Sequence, residues 1–133
     1  MSDRSQAVKR LDQWFSKFIR LRDSDENGFV RCITCGTRKH WKEVDAGHFQ
    51  TRAKYSTRWH EKNVHAQCKG CNMKNGGQQY VHGKEIDKRY GEGVADEIVY
   101  LSNQIMKFST QEIRDMAKHY RELVKDELER VSN

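Results

Sequence analysis

The stretch that decides the fold runs from Phe29 to Gly77: FVRCITCGTRKHWKEVDAGHFQTRAKYSTRWHEKNVHAQCKGCNMKNGG. Cys32-Ile33-Thr34-Cys35 frames it at one end and Cys68-Lys69-Gly70-Cys71 at the other. Two Cys-x-x-Cys turns can set four thiolates tetrahedrally around zinc. Such a closed site is structural, because no position remains for water. The 32 residues between the pairs exceed finger spacing, which argues against a simple zinc ribbon. Gly36 relieves the tight backbone after the second cysteine.

Inside the frame, Phe29–Gly36 reads as a strand entering a zinc knuckle. Val44–Phe49 and Asn63–Gln67 read as two short strands. Gln50–Lys62 between them reads as a basic loop. A short helix is expected to begin near Cys68 and to end by Gly76-Gly77. Outward from the frame, Val8, Leu11, Trp14, Phe15, Phe18 and Ile19 recur at helical spacing, which predicts a helix over 5–22. Asp23–Gly28 is a polar turn without the ligand spacing of an EF-hand. Gly83–Tyr90 and Gly93–Ile105 read as helices broken at Gly91-Glu92-Gly93. Ser109-Thr110-Gln111-Glu112 resembles a capping box. The apolar stripe Ile113, Met116, Ala117, Tyr120, Leu123, Val124, Leu128 and Val131 follows it, either packing on the domain or forming a dimer seam. The expected class is α+β. A zinc-stabilised core of two short strands and a helix (29–77) stands between an N-terminal helix and a helical C-terminal part (83–131), all within one domain, 1–133.

A chain of 133 residues with 35% hydrophobic residues and a mean hydropathy of -1.02 has a small core, and a metal is one way to staple it. Met1-Ser2-Asp3-Arg4 is polar and no long apolar run follows. No signal peptide or membrane span is read, and a cytoplasmic location is expected. Disulfides are rare there, so paired cysteines favour metal. Charge is concentrated in the framed region. Residues 30–90 carry thirteen Lys/Arg against five Asp/Glu, net +8, whereas 1–29 are net +1 and 91–133 net -3. A polyanionic partner is expected at the basic region.

The insert between the cysteine pairs carries the candidate chemistry. Asp45-Ala46-Gly47-His48-Phe49 lies in the first strand, Asn63-Val64-His65 opens the second, and Asn72 follows the last cysteine. This pattern resembles the ββα-metal, or HNH, nuclease motif. Asn63 lies 15 residues and Asn72 24 residues after His48, and both separations suit that motif. More closely, Cys-Ile-Thr-Cys-Gly (32–36), Asp-Ala-Gly-His-Phe (45–49) and Glu-Lys-Asn-Val-His-Ala-Gln-Cys-Lys-Gly-Cys-Asn (61–72) resemble the NinG (Rap) recombination endonucleases of lambdoid phages. The resemblance covers roughly Leu11 to Leu123. It implies a phage or prophage origin and a nuclease for branched recombination intermediates such as Holliday junctions and D-loops.

Phosphodiester hydrolysis needs an activated water, stabilised phosphorane-like charge and help for the leaving oxygen. A neutral histidine can accept the water proton at pH 7, which assigns His48 as general base. A magnesium or manganese ion would steady the leaving 3′-oxygen. Asn72, beside Cys71, should offer its amide oxygen to that ion. The resemblance makes Asn63 structural, bonding backbone groups of the hairpin loop. Many HNH motifs place a metal-ligating Asp or His directly before the base, but here Gly47 stands there. Two residues compete for that role: Asp45, on the same strand face as Gly47, and His65, on the neighbouring strand. Magnesium's preference for oxygen favours Asp45, and the motif favours His65.

Arg52, Lys54, Arg58, Lys62, Lys69 and Lys74 are expected to meet DNA phosphates. Tyr55 and Trp59 between them suit either base stacking or core packing. A two-fold junction would suit a homodimer. Two other readings remain open. One is a non-catalytic zinc module in DNA binding or recombination. The other is a general HNH nicking endonuclease.

Overall fold

In the computed structural model, which describes residues 2–131, the chain starts with α1 (Asp3–Arg22). Ser2 caps it by accepting from Ser5 N. Asp3 in the first turn and Arg20 and Arg22 in the last complement the helix dipole. Its stripe of Leu11, Phe15, Phe18 and Ile19 is buried against α6 (Thr110–Arg130), which presents Ile113, Ala117, Tyr120 and Val124. Phe15 meets Tyr120 edge to face, with ring centroids 4.9 Å apart. The capping box read at Ser109 and Glu112 is formed, with Glu112 N donating to Ser109 Oγ and Ser109 N to Glu112 Oε1. The C-terminal stripe is therefore largely spent inside the molecule rather than left as a seam.

Two small antiparallel sheets lie between these helices in sequence. β1 (Phe29–Arg31) pairs with β2 (Arg38–His40), and β3 (Asp45–His48) with β4 (Val64–Gln67). α2 (Tyr55–Arg58) lies inside the β3–β4 connection, which the sequence presented as loop only. α3 (Lys69–Met73) follows β4 directly, capped by Cys68 Sγ accepting from Cys71 N. α4 (Asn75–Tyr90) starts earlier than expected. Gly76, Gly77 and Gln78 have left-handed backbone angles, so regular helix begins only after them. Gly93 caps α5 (Val94–Ser102), which stops three residues short of Ile105.

The β3–β4 register opposes Asp45 to Gln67, Gly47 to His65 and His48 to Val64. Directly opposed residues of an antiparallel pair share a face. Ala46, His48, Val64 and Ala66 therefore face one way, and Ala46, Val64 and Ala66 join the α1–α6 core. Asp45, Gly47, His65 and Gln67 face the other way. There Phe49 starts a second cluster with Ile86, Ala95 and Ile98 of α4 and α5. All four residues of β4 are buried, as a strand covered on both faces must be. Among the described residues no helix is long and apolar enough to cross a membrane.

Candidate functional site

The four cysteines converge although they come from two distant turns. Their Sγ atoms all lie within 4.8 Å of one another, and Cys35 Sγ is 3.8 Å from Cys68 Sγ. Four sulfurs at about 2.3 Å from a zinc ion would stand about 3.8 Å apart, so the group fits a structural metal such as zinc. The knuckle and the start of α3 are joined at this point. Ile33 N also donates to Ala66 O, tying the knuckle to the hairpin.

His48 sits at the end of β3, with its ring beside a cleft also lined by Asp12, Ser16, Arg52, Asn72 and Gly77. His48 Nε2 lies 2.9 Å from the Arg58 carbonyl oxygen, which can only accept, so Nε2 carries the proton. Nδ1 is left as the acceptor. Burial drives the pKa of His48 down to about 4, against a smaller opposing pull from that hydrogen bond. The imidazole is therefore neutral at pH 7, in one defined tautomer.

What holds the Arg58 carbonyl was not visible in the sequence. Asp12 of α1 accepts from Arg58 Nη2 at 2.6 Å and Nε at 3.1 Å, and from Trp59 Nε1 at 3.0 Å. Arg58 Nη1 donates to the Arg52 carbonyl at 2.9 Å. Asp12 and Arg58 are 46 residues apart and belong to different elements, so no local pattern announced the pair. Arg58 is thus committed to Asp12 rather than free for phosphate. Trp59 and half-buried Tyr55 lie in or against the core rather than on a stacking surface.

Asn63 is fully buried and staples the hairpin loop. Its Nδ2 donates to Gln50 O at 3.1 Å and Thr57 O at 2.9 Å, and its Oδ1 accepts from Gln50 N at 2.8 Å. Phe49 N donates to Asn63 O. These bonds close both ends of the 50–62 connection beside His48.

Asp45 and Asn72 meet: Asn72 Nδ2 donates to Asp45 Oδ2 at 3.0 Å. Lys69 Nζ pairs with the other carboxylate oxygen at 2.7 Å, so Lys69 is not a free cation. The structure does not bring His65 to Asn72. His65 is fully buried, with Nδ1 3.0 Å from His82 Nε2 and Nε2 2.9 Å from Tyr90 Oη. Both ring nitrogens are used, and burial holds its pKa far below the ordinary value. His65 serves the packing against α4, and of the two candidates only Asp45 reaches Asn72. Arg52, Lys54, Lys62 and Lys74 are exposed, Lys62 with its ammonium over the Tyr90 ring.

The gap at Gly47 has a tenant. A Cβ built on Gly47 would collide with Gln67 Oε1, so the opposing side chain of β4 folds across the space above Gly47. Only glycine admits this approach.

Among known proteins, the model of the family described as Bacteriophage Lambda NinG protein matches residues 1–130. The chain is 33% identical over 127 residues to protein ninG of Escherichia phage lambda, covering 95% of this chain and 59% of that protein. It is 33% identical to protein ninG of Escherichia phage 933W and 32% identical to that of Salmonella phage P22, each over 95% of this chain and 60% of the relative. The chain thus spans about three fifths of the length of these relatives. No solved structure matches it. With a family model spanning nearly every residue, and the paired cysteines and the insert within that match, the chain belongs to the bacteriophage lambda NinG family.

Proposed function

We propose that this chain is a zinc-stabilised endonuclease of the ββα-metal (HNH) type, cutting branched DNA recombination intermediates with the help of magnesium or manganese. The observation that carries the reading is the state of His48. It is neutral, held through Nε2 by the Arg58 carbonyl, and left with Nδ1 as an acceptor beside a cleft that also holds Asn72. That is what a general base requires before its substrate arrives. The β3–β4–α3 order, with its cysteine clamp, suits the same motif.

Asn72 lines the cleft and reaches Asp45 beyond it, and this donor pair fits a hard cation. The Asp45 carboxylate and the Asn72 amide are 3.0 Å apart. Two oxygens at about 2.1 Å from magnesium, at right angles, stand about 3.0 Å apart. The amide has only to present Oδ1 in place of Nδ2. A bound cation supplies positive charge against the phosphate and the leaving 3′-oxygen. The rest falls to the protein. His48 Nδ1 takes the proton of the attacking water. Asn63 keeps the loop, and hence the Arg58 carbonyl, in place. Asp12 fixes Arg58 from α1. Arg52, Lys54, Lys62 and Lys74 hold phosphates without reading bases. The products would be 5′-phosphate and 3′-hydroxyl ends.

The test is cleavage of a four-way junction, a D-loop and a linear duplex by purified protein with either ion. Cutting that prefers the branched substrates, and is lost in His48→Ala, is the expected result. Equal cutting of linear duplex would favour a general nicking nuclease. Binding without cutting would favour a non-catalytic zinc module, a reading to which the Lys69–Asp45 ion pair lends some weight. A homodimer would suit a two-fold junction. With the α1 and α6 stripes buried on each other it would need another surface, and sedimentation of the free and junction-bound protein checks it.

A further inference from the structure

Gln67 carries one of the buried unpaired polar atoms among the described residues. It is 1% exposed, and its Oε1 has no hydrogen-bond partner among the described residues. Leaving a buried carbonyl oxygen unpaired costs on the order of 1–3 kcal/mol, so such an atom calls for a reason. Its amide orientation is not arbitrary. Nε2 donates to Gly77 O at 2.6 Å and to Thr34 Oγ1 at 3.2 Å. A backbone carbonyl can only accept, so the nitrogen must face Gly77 and the oxygen must face the other way. That other way is over Gly47, in space that any other residue at 47 would fill.

Two other oxygen-bearing side chains, Asp45 and Asn72, come from neighbouring positions. Asp45 is the direct cross-strand partner of Gln67 and shares its face. Asn72, bonded to Asp45, closes the third side. The position of a Cβ on Gly77 lies 3.6 Å from Asn72 O, 3.7 Å from Gln67 Oε1 and 3.8 Å from Asn72 Oδ1. Gly77 has no side chain to fill that point. Carbonyl oxygens do not attract one another. A cluster of them beside a carboxylate is stable when something positive and hard joins them.

We propose that Gln67 Oε1 is a third protein ligand of the divalent cation, joining Asp45 and Asn72 and replacing the side chain that Gly47 lacks. This rests on the cation-dependent reading above and adds to it a residue from the second strand. A neutral amide ligand beside one carboxylate gives a site of low charge. Such a site binds its ion weakly and leaves it positive enough to attract phosphate.

Manganese binding, read without turnover, tests it. Zinc-loaded protein is titrated with Mn²⁺, and the free ion is followed by electron paramagnetic resonance. Wild type, Gln67→Leu, Gln67→Glu, Asp45→Asn and Asn72→Ala are compared. Both Gln67 variants lose the Nε2 donor to Gly77, but only Gln67→Glu keeps an oxygen. The expected result is affinity at least tenfold weaker in Gln67→Leu, and equal or tighter in Gln67→Glu. Equal weakening in both would overturn the proposal, since Gln67 would then act only by anchoring Gly77. Wild-type affinity in Gln67→Leu, with Asp45→Asn and Asn72→Ala weakened, would overturn it while leaving the Asp45–Asn72 site standing. No Mn²⁺ binding by wild type would defeat the cation reading itself. If Gln67→Leu does not fold, Gln67→Glu decides alone: binding as tight as wild type supports the ligand, and weaker binding overturns it.

Discussion

One face of the β3–β4 hairpin presents His48 toward the cleft beside α1, and the other presents His65 toward α4. The two histidines sit on neighbouring strands, and burial pushes both pKa values down. Their bonding separates them. His65 spends both nitrogens, on His82 and Tyr90, and nothing remains for a substrate. His48 spends one, on a carbonyl that Asp12 and Arg58 hold in place. A histidine becomes a reagent when the fold fixes half of its capacity and leaves the other half open. The same imidazole with both ends tied is a packing element.

The largest effect expected on this contrast comes from removing the metal that fits the cysteines. Structural zinc in small sites supports folding by on the order of 10 kcal/mol. After stripping with a chelator, amide exchange should lose its protection across β3, β4 and α3. The α1–α6 pair, whose core is aromatic and aliphatic, should keep part of its own. Intact hairpin protection in metal-free protein would break the idea that the cysteines hold both faces in register.

Exchanging the two histidines for alanine sharpens the contrast directly. His48→Ala should lower cleavage by about 10²–10⁴ with little change in melting temperature. His65→Ala leaves His82 and Tyr90 facing a buried hole, and should cost on the order of 2–4 kcal/mol in urea unfolding. The opposite allocation, a stable but inactive His65→Ala and an unstable but active His48→Ala, would reverse the assignments.

Part of this was legible in the sequence and part was not. The cysteine turns, α1, the capping box at Ser109 and both hairpin strands carry local signals: fixed spacing, helical periodicity or side-chain caps. α2 carries none, since Lys54 caps it without a side-chain hydrogen bond. β2 is Arg38-Lys39-His40, polar throughout, so nothing alternates. Within the site, His48, Asn63 and Asn72 stand at motif positions, and Asp45 is reached through strand parity with Gly47. Asp12 and Gln67 matter because of what lies across space from them, and His65 leaves the site for the same reason. Pairings between distant elements leave no trace in spacing.

Acid gives a smaller and graded test. His48 and His82 titrate near pH 4 when folded, and His65 lower still, against about 6.5 in an unfolded chain. The unfolded state therefore binds protons first as pH falls. The histidine contribution to stability is complete above pH 6.5 and declines from there toward pH 4. Urea midpoints across this range should fall, and His65→Gln should flatten the slope if His65 is among its sources. The least effect is expected at the surface: Arg52→Ala should weaken DNA binding modestly and reduce the slope of log affinity against log salt by about 1. An unchanged slope would remove Arg52 from the phosphate-binding face.

The pairing of α1 with α6 has a consequence for the order of events during synthesis. The bed under Ala46, Val64 and Ala66 is built from the first helix and the last, which lie about a hundred residues apart in the chain. Contacts of such long separation form late. Arg4 also reaches the carbonyl of Phe108, just before α6, and Arg130 of α6 the carbonyls of Leu21 and Ser24, so bonds from this part of the chain close both ends of α1. A growing chain can gather its cysteines around a metal well before α6 has emerged. His48 then lacks the firm support of a finished core until translation has passed residue 130. The support that both helices give to the hairpin is therefore complete only once α6 has packed on α1, all at once rather than by degrees.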